Sequence, residues 1–214
     1  MNEQKETNDM KNILVTGCNG QLGNEMQLLA TGYPEFNYFF TDVKELDITD
    51  ENAVKSFVKT NGIDCVVNCA AYTAVDKAEA DEAFCNILNH IAPGYLAKAV
   101  HEQGGCMIQV STDYVFDGTT HIPYREEEPT CPATVYGRTK LAGEEAVMRN
   151  CPESVIIRTA WLYSTFGNNF VKTMLRLGRE KESLGVIFDQ IGTPTYARDL
   201  AAAIFAVLTL DFDP

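Results

Sequence analysis

Short apolar runs alternate with longer helical patterns along this chain, and that alternation is typical of βαβ units in a parallel sheet. β-Branched and aromatic residues predict strands at 12–16, 37–41, 64–69, 106–111, 154–159 and 184–188. Helical patterns follow the earlier strands and end near residues 30, 60, 103, 148, 181 and 208. Because the run at 64–69 is apolar on consecutive positions, we expect a central strand that is covered on both faces. The pattern predicts an α/β fold with a Rossmann-type doubly wound parallel sheet.

Local signals refine the bounds of these elements. Capping residues at 49–52 predict the start of the second helix, and Thr195 is a candidate cap for the last one. The segment from Thr112 to Cys131 lacks periodicity and predicts a long loop, a kind of segment that often carries function. Three apolar residues share one face of the helix that ends near 181: Phe170, Met174 and Leu177.

The excess of acidic over basic residues limits the kinds of molecule that the protein is expected to bind. The chain has 30 acidic and 17 basic residues, so most of its surface should repel nucleic acid and anionic membranes. Seven cysteines lie scattered without a CxxC pair, several of them in apolar runs, which indicates reduced structural thiols. The first eleven residues are polar and no apolar run is long enough to cross a bilayer, so we expect a cytoplasmic protein.

A glycine-rich turn directly follows the first predicted strand. The sequence Gly17-Cys-Asn-Gly-Gln-Leu-Gly23 then opens a helix, an order that puts a helix N-terminus against a pyrophosphate. One glycine makes the tight turn, one lets a phosphate approach the backbone, and one lets the helix pack on the strand. The GxxGxxG spacing, rather than GxGxxG, indicates the short-chain dehydrogenase type of turn, and an ordinary βα turn is the alternative when the three glycines are taken alone. The residues predicted to bind the dinucleotide here are Gly17, Asn19, Gly20, Gln21, Leu22 and Gly23.

Residues after the second strand bear on the choice of cofactor. Asp42 lies where a carboxylate can accept hydrogen bonds from the adenosine ribose and disfavour a 2′-phosphate. This favours NADH, although the charge of Lys44 could offset that of Asp42. Asp47, with Ile48 beside it, is a further candidate contact to the adenine.

Small residues follow the third strand. Ala70 and Ala71 would let the cofactor lie close to the backbone, although two alanines could equally pack a strand end.

Tyr136 and Lys140 are the candidate catalytic pair. Four positions apart on a predicted helix, they share one face, so the ammonium can stabilise a phenolate and lower the tyrosine pKa from its usual value of about 10. Lys140 can also reach the nicotinamide ribose. Thr112, at the end of the fourth strand, would hold a substrate carbonyl oxygen beside Tyr136. A solvated helix face and a loop cap are the alternatives, but the glycine turn, Thr112, Tyr136 and Lys140 in this order indicate an NAD(P)-dependent oxidoreductase.

Together these segments resemble one family of extended short-chain dehydrogenases/reductases, the dTDP-4-dehydrorhamnose reductases. The resemblance extends over nearly the whole chain from Lys11 and is carried by Gly17–Gly23, Asn68-Cys-Ala-Ala-Tyr-Thr-Ala-Val-Asp-Lys-Ala-Glu79, Ser111-Thr-Asp-Tyr-Val-Phe116, Val135-Tyr-Gly-Arg-Thr-Lys-Leu-Ala-Gly-Glu144, Arg158-Thr-Ala-Trp161, Gly167-Asn-Asn-Phe170 and Asp189-Gln-Ile-Gly-Thr-Pro-Thr195. It implies reduction of the C4 ketone of dTDP-6-deoxy-L-lyxo-4-hexulose to dTDP-L-rhamnose, a donor for cell-envelope polysaccharide. NADPH or NADH would supply the hydride and Tyr136 the proton.

The resemblance also assigns roles to residues. It implies that Thr112, Tyr136 and Lys140 are the catalytic three. Residues implied to line the cofactor cleft after the third strand are Ala70, Ala71 and Tyr72, and those near the sugar are Thr73, Val75, Asp76, Thr112, Trp161 and Asn169. Magnesium is associated with the family, but no compact set of carboxylates identifies its ligands. As partners we expect a nucleotide-sugar substrate and a second copy of the chain in a homodimer, with neither nucleic acid nor membrane.

Related activities remain as alternatives. Nucleotide-sugar 4,6-dehydratases carry Thr-Asp-Glu where this chain has Thr112-Asp-Tyr114, so the glutamate that serves water elimination is missing. An epimerase acting on another sugar nucleotide stays open, as does a non-catalytic dinucleotide-binding regulatory subunit.

Three regions are expected along the chain. Residues 1–10 should form a disordered tail, and residues 11–165 an NAD(P)-binding Rossmann domain that carries the catalytic residues. Residues 166–214 should form a partial substrate-binding region with elements returning to the Rossmann core. Because members of the family usually continue beyond this length, we expect the substrate lobe to be incomplete.

Overall fold

Five parallel strands form the central sheet, in the order β2-β1-β3-β4-β5. The structure, a computed structural model, describes residues 10–210, so the disorder expected at 1–9 lies outside the described residues. The strands are β1 (Lys11–Thr16), β2 (Phe36–Thr41), β3 (Cys65–Asn68), β4 (Cys106–Thr112) and β5 (Val155–Thr159). Each begins and ends within one residue of its predicted bounds, and all four pairings are parallel. The predicted parallel α/β sheet is confirmed.

Helices connect these strands. They are α1 (Gln21–Ala30), α2 (Glu51–Thr60), α3 (Val75–Ala78), α4 (Glu82–Asn86), α5 (Ala92–His101), α6 (Val135–Asn150), α7 (Phe170–Glu180) and α8 (Ala197–Thr209). The carboxylate of Asp50 caps α2, as predicted, by accepting hydrogen bonds from the backbone of Asn52 and Ala53. The helical stretch predicted to end near 103 is confirmed over residues 82–101, and a π-helical turn at Ile87–Ile91 lies within it, between α4 and α5. Within residues 10–210, no helix combines the length and apolar character needed to cross a bilayer.

Hydrophobic clusters cover both faces of the sheet. Alternate residues of β1 point to opposite faces, so Leu14 enters one cluster while Ile13 and Val15 enter the other. The first cluster, around Leu14, contains residues of α2, α5 and α6, and the second contains residues of α1 and α8. Residues 65–68 of β3 are all buried, which confirms the predicted central strand. This doubly covered sheet is the layer structure of a Rossmann-type fold.

The region after β5 departs from the predictions. The strand predicted at 184–188 is wrong: these residues are exposed, Phe188 at 98%, and no neighbouring strand pairs with them. An apolar run adopts strand structure only where a partner and a buried face are present. Two short unpredicted strands, β6 (Leu162–Tyr163) and β7 (Thr195–Tyr196), form a separate parallel pair. Thr195 therefore belongs to β7, and the prediction that it caps the last helix is also wrong, since α8 starts after Tyr196 without a side-chain cap.

The last helix returns to the sheet and covers the same face as the first. Residues of α8 pack against α1 in the second cluster, and the ring of Phe205 stacks on Tyr33 with centroids 4.3 Å apart. In α7, by contrast, no residue is fully buried, and Phe170 of its apolar face is 54% exposed.

Candidate active site

The glycine turn lies where β1 ends and α1 begins. Gly17 has a φ of +64°, a conformation that favours glycine, and a Cβ there would lie 2.8 Å from the Cα of Ala70. A Cβ at Gly23 would overlap the carbonyl oxygen of Gly17 and the Cα of Cys18. Because the clashing atoms belong to the backbone, they cannot move aside. Gly17 thus makes the tight turn, and Gly23 lets α1 approach the end of β1.

The start of α1 suits an anion. Its N-cap is Gly20, no side chain accepts a hydrogen bond from its first N–H groups, and its first turn contains no acidic residue. These N–H groups and the positive end of the helix dipole favour a phosphate. Together with the space that the missing Cβ atoms leave, they fit the pyrophosphate of a dinucleotide.

Asp42 lies next to this turn. Its carboxylate accepts hydrogen bonds from the backbone N–H of Asn19, at 3.2 Å, and from that of Val43, at 2.8 Å. The exposed carboxylate of Asp47 accepts from Thr49, which lowers its pKa. The structure thus brings Asp42 to the glycine turn.

Ile48 has a buried side chain. Its side chain packs in the first hydrophobic cluster and is only 6% exposed, so its contact with the adenine stays a prediction.

A buried chain of amides ties together the carboxyl ends of three strands. Asn68, at the end of β3, accepts a hydrogen bond from the hydroxyl of Thr16 at 2.5 Å and donates to the side chain of Gln109 at 2.8 Å. Its side-chain oxygen also accepts from the backbone N–H of Ala70 at 3.2 Å. No motif singled out Asn68, although an amide that ends an apolar run is a signal. These hydrogen bonds fix the backbone of residues 68–70 beside the glycine turn.

Tyr136 and Lys140 are both buried, on one face of α6. Burial raises the pKa of Tyr136 to about 12, and a hydrogen bond with Thr112 opposes the rise without cancelling it. The net shift of the Tyr136 pKa in the free protein is therefore upward, opposite to the lowered pKa that was expected. The Lys140 ammonium instead donates to the carbonyl oxygen of Val110 at 2.7 Å, and burial lowers its own pKa to about 8. The structure keeps the phenol protonated across the neutral range.

Lys140 and the glycine turn lie at the same edge of the sheet. The buried thiol of Cys69, after β3, has a pKa raised to about 12, chiefly by burial and then by the thiol of Cys18 in the turn. The charge of Lys140 lowers that pKa in part. Cys69 thus interacts with both groups. The carboxyl edge of the sheet brings the proposed cofactor turn and the proposed proton-transfer residues together.

The π-helical turn contributes a buried side chain that the motifs did not reveal. The amide of Asn89 bonds both backbone groups of Tyr72, accepting from its N–H at 2.8 Å and donating to its carbonyl at 3.1 Å. It also donates to the hydroxyl of Thr139 on α6 at 3.3 Å. A Cβ at Gly143 would overlap the Asn89 carbonyl oxygen, so α6 packs closely on this turn. Asn89 therefore connects the cleft segment around Tyr72 to the helix that carries Tyr136.

A buried ion pair holds the other side of α6. Glu144 accepts three hydrogen bonds from the Arg158 guanidinium, the shortest at 2.6 Å, and a fourth from the hydroxyl of Ser111. Arg158 also lies over the ring of Phe116, 5.1 Å from its centroid. Since Ser111 is on β4 and Arg158 on β5, the pair fastens α6 to the two strands beneath it.

The residues assigned to the sugar divide into two groups. Val75 packs in a small cluster with Tyr136, and Asp76 is close enough to raise the pKa of Tyr114, whose ring lies edge-on to Tyr136 with centroids 5.5 Å apart. Thr73 is exposed just before α3. The structure therefore places this group beside Tyr136.

Trp161 and Asn169 form the second group, after β5. Trp161 has a φ of +49°, which is strained for a bulky side chain, and its ring packs on Gly192, where a Cβ would lie 2.8 Å away. With Phe170 it lines a cavity of about 300 Å³. The amide of Asn169 caps α7 and donates to the Gln21 side chain at 2.9 Å. Asn169 thus joins this region to the glycine turn, and its contact with a sugar stays a prediction.

The described part of the chain contains no cluster of oxygen ligands that suits magnesium. Mg²⁺ prefers oxygen ligands in octahedral geometry. Among residues 10–210, the group of three potential ligands close enough to share an ion is His101, Cys151 and Glu153, which includes an imidazole and a thiol. We therefore derive no role for magnesium at the site.

Comparison with known proteins identifies the family. The family profile described as the RmlD substrate binding domain matches residues 10–213. The chain is 46% identical over 194 residues to dTDP-4-dehydrorhamnose reductase of Salmonella typhimurium, which covers 89% of this chain and 64% of that protein. It is 39% identical over 198 residues to the reductase of Aggregatibacter actinomycetemcomitans, covering 92% and 67%. The chain spans about two thirds of the length of these curated relatives.

Solved structures agree with this assignment. A dTDP-4-dehydrorhamnose reductase of Clostridium acetobutylicum superposes with a TM-score of 0.89 at 46% identity, covering 92% of this chain and 70% of that one. The Bacillus anthracis reductase in complex with NADP superposes with a TM-score of 0.90 at 39% identity, covering 94% and 71%. The geometry at the carboxyl edge of the sheet, the family profile and these relatives lead to one conclusion: the chain belongs to the dTDP-4-dehydrorhamnose reductase family, whose profile is the RmlD substrate binding domain.

Proposed function

We propose that this protein is an NADPH-dependent oxidoreductase that reduces the C4 ketone of dTDP-6-deoxy-L-lyxo-4-hexulose to dTDP-L-rhamnose. The observation that carries the proposal is the buried phenol of Tyr136, which is hydrogen-bonded with Thr112 and lies on the same face of α6 as the buried Lys140, at the edge of the sheet that holds the glycine turn. A protein that only binds a dinucleotide has no need of such a phenol. The curated relatives from Salmonella typhimurium and Aggregatibacter actinomycetemcomitans carry the same activity in their names.

The glycine turn would hold the cofactor. The N–H groups at the start of α1 suit its pyrophosphate, and Gly17 and Gly23 leave the space it needs. When bound, NADPH supplies the hydride that reduces the ketone. The Bacillus anthracis relative was solved with NADP, which supports NADPH over NADH despite the carboxylate of Asp42. Lys44, two residues after Asp42, can offset the negative charge of that carboxylate and so make room for a 2′-phosphate.

Tyr136 would deliver the proton. Because its pKa is raised to about 12, the phenol holds its proton at neutral pH and can donate it to the C4 oxygen as negative charge develops there. The Thr112 hydroxyl would hold that oxygen in place. The charge of Lys140, whose pKa of about 8 keeps it mostly protonated at pH 7, would then favour the phenolate that remains.

The sugar would lie between the two groups of residues assigned to it. Val75 and Asp76 are beside Tyr136. Asn169 connects the region after β5 to Gln21. We infer that residues 11–165 form the dinucleotide-binding unit and that residues 166–214 belong to the substrate-binding region. We further propose that the protein works in the cytoplasm as a homodimer.

The test is a reduction assay with purified protein, NADPH and the 4-keto sugar nucleotide. We expect one NADPH to be oxidised per dTDP-L-rhamnose formed, with the product identified by NMR. A sugar nucleotide with an inverted stereocentre, formed with no net loss of NADPH, would replace the proposal with an epimerase. Tight NADPH binding without oxidation, measured by cofactor fluorescence, would favour a regulatory binding protein.

A further inference from the structure

At the amino edge of the sheet, opposite the glycine turn, three side chains of different chemistry meet. His101 ends α5, Cys151 directly follows α6, and Glu153 lies in the turn before β5. One ligand atom from each lies within 4.8 Å of the others. The Glu153 Oε2 atom is 3.2 Å from His101 Nδ1 and 3.9 Å from Cys151 Sγ. The fold thus brings together an imidazole, a thiol and a carboxylate from the ends of two helices.

The two separations from Glu153 approach those of a tetrahedral metal site, and the His101 and Cys151 ligand atoms lie within 4.8 Å of each other. Zinc bonds of about 2.3 Å to sulfur and about 2.0–2.1 Å to nitrogen and oxygen give ligand separations of about 3.4 Å for nitrogen to oxygen and about 3.6 Å for sulfur to oxygen. The observed 3.2 and 3.9 Å differ from these by a few tenths of an ångström. The side chain of His101 is 48% exposed, so its ring is free to turn toward the ion.

The surroundings supply space for a fourth ligand and support for the sulfur. A cavity of about 390 Å³ opens beside His101 and Glu153 and also reaches Asp64 and Cys106. Cys151 is fully buried, and its thiol donates to the carbonyl oxygen of Gly105 at 3.6 Å.

A neighbouring hydroxyl can support a thiolate. The Ser154 hydroxyl is buried beside Cys151 and has no other hydrogen-bond partner among the described residues, so it can donate to a Cys151 thiolate.

The ligand types select the metal. Calcium and magnesium require sets of oxygen ligands, whereas a mixture of nitrogen, sulfur and oxygen suits zinc. We propose that His101, Cys151 and Glu153 form a three-ligand site for Zn²⁺, with the fourth position open to water from the cavity. Binding releases the Cys151 proton to solvent and joins the C-terminal ends of α5 and α6. The sequence offers no sign of the site, because its ligands lack the close, regular spacing of a metal motif.

The experiment uses the full chain, stripped of metal and kept reduced. Zn²⁺ affinity is measured by competition with a chromogenic chelator, and Co²⁺ serves as the spectroscopic probe. We expect one ion per chain, visible bands of tetrahedral Co²⁺ and a thiolate-to-cobalt charge-transfer band. His101→Gln and Glu153→Gln should each weaken Zn²⁺ binding by roughly tenfold or more. Mutation of residues that only hydrogen-bond to metal ligands already has effects of that size. Cys151→Ser should abolish the charge-transfer band.

Matched controls come from elsewhere in the chain. His121→Gln and Cys131→Ser alter an exposed histidine and an exposed cysteine outside the cluster, and both variants should bind as the parent does. Because His101 is half exposed, its variant should remain folded and keep the test decisive even if Cys151→Ser does not fold. A charge-transfer band that survives in His101→Gln with unchanged Zn²⁺ affinity would overturn the proposal. Cys65 on β3 lies opposite Cys106 on β4, and both line the same cavity. Loss of the band in Cys106→Ser alone would also overturn the proposal, because it would assign the metal to these two cysteines.

Discussion

At Tyr136, burial and a hydrogen bond act in opposite directions, and burial prevails. Burial raises the pKa of the phenol to about 12 although the hydrogen bond with Thr112 lowers it, and burial lowers the pKa of Lys140 to about 8. The proposed proton donor therefore holds its proton in the free protein. In the proposed mechanism the charge of Lys140 would stabilise the phenolate that proton transfer leaves.

Tyr136→Phe tests the proton donor directly. The variant keeps the ring that packs against Tyr114 but loses the hydroxyl. We therefore expect kcat to fall by about 10²–10⁴-fold, while the dissociation constant of NADPH changes by less than about twofold. Steady-state assays and cofactor fluorescence measure the two quantities. Tyr124→Phe, on a ring that stacks on Phe116, is the matched control and should retain activity. Full turnover by the Tyr136 variant would remove this phenol from the mechanism.

Lys140 should leave a signature in stability as a function of pH. Its pKa is about 8 in the folded chain and 10.5 in the unfolded chain, so the unfolded state binds more protons between these values. Stability therefore gains up to about 1.4 kcal/mol per pH unit from this group as pH rises through that window. Lys140→Met should lack that gain in urea unfolding at pH 8, 9 and 10, whereas Lys98→Met, on an exposed lysine, should keep it. Parallel profiles for the parent and Lys140→Met would contradict the assignment.

Gly23 tests the close approach of α1 to the glycine turn. Gly23→Ala forces a methyl group against the backbone of Gly17 and Cys18, so we expect a loss of about 1–3 kcal/mol in stability and weaker NADPH binding. Gly178→Ala is the control: in α7 a Cβ at this position meets nothing within 4 Å, and alanine favours the helix. Equal behaviour of the two variants in denaturant unfolding would show that the clash at Gly23 is relieved at no cost.

At the scale of elements, α6 is the one on which the site depends. It carries Tyr136 and Lys140, and it is held by Asn89 on one side and by Glu144 on the other. These two anchors fix the helix against the π-helical turn and against β4 and β5. A small shift of α6 would move both proposed proton-transfer groups together.

Glu144→Gln should loosen this helix. The change leaves Arg158, whose side chain is 24% exposed, without its partner charge. We expect the free energy of unfolding to fall by about 3 kcal/mol, because the remaining charge is then neither paired nor fully hydrated. The matched change Glu180→Gln removes an exposed pair with Arg176 and should cost no more than about 0.5 kcal/mol. Urea unfolding compares the two. A loss at Glu144 as small as that at Glu180 would mean that water already screens the Arg158 charge.

The strands that the sequence predicts well are those that pair within the central sheet. The bounds of the edge strands β2 and β5 were predicted within one residue, as were those of β1, β3 and β4. The apolar run at 184–188 failed because nothing in its own residues reveals that a partner strand is missing. The π-helical turn was not predicted for a related reason. Its Asn89 contacts Tyr72 and Thr139, which are distant in the sequence.

At the scale of the whole molecule, the two edges of the sheet carry different chemistry. The carboxyl edge holds the motif residues, which the order of the strands allowed the sequence to predict, because carboxyl ends of parallel strands share an edge. The amino edge holds His101, Cys151 and Glu153, and no motif pointed to them. The pKa of Tyr136 also escaped prediction, since it depends on how completely the fold excludes water.

The net charge of −13 should affect how an anionic dinucleotide arrives. Repulsion over the whole surface opposes encounter, and salt screens it over a Debye length of about 8–10 Å at physiological ionic strength. The association rate constant of NADPH in stopped-flow fluorescence should therefore rise as NaCl increases from low to physiological concentration. A rate constant that falls with salt would reveal a local positive field at the turn that outweighs the net charge.

The return of α8 to the face of α1 has a consequence for synthesis on the ribosome. The apolar side of α1, with Leu22 and Met26, lacks the part of its cover that comes from α8 until Ile204 and Phe205 have left the exit tunnel. In the interval between the synthesis of α1 and that of α8, chaperones that recognise apolar helices have access to this side.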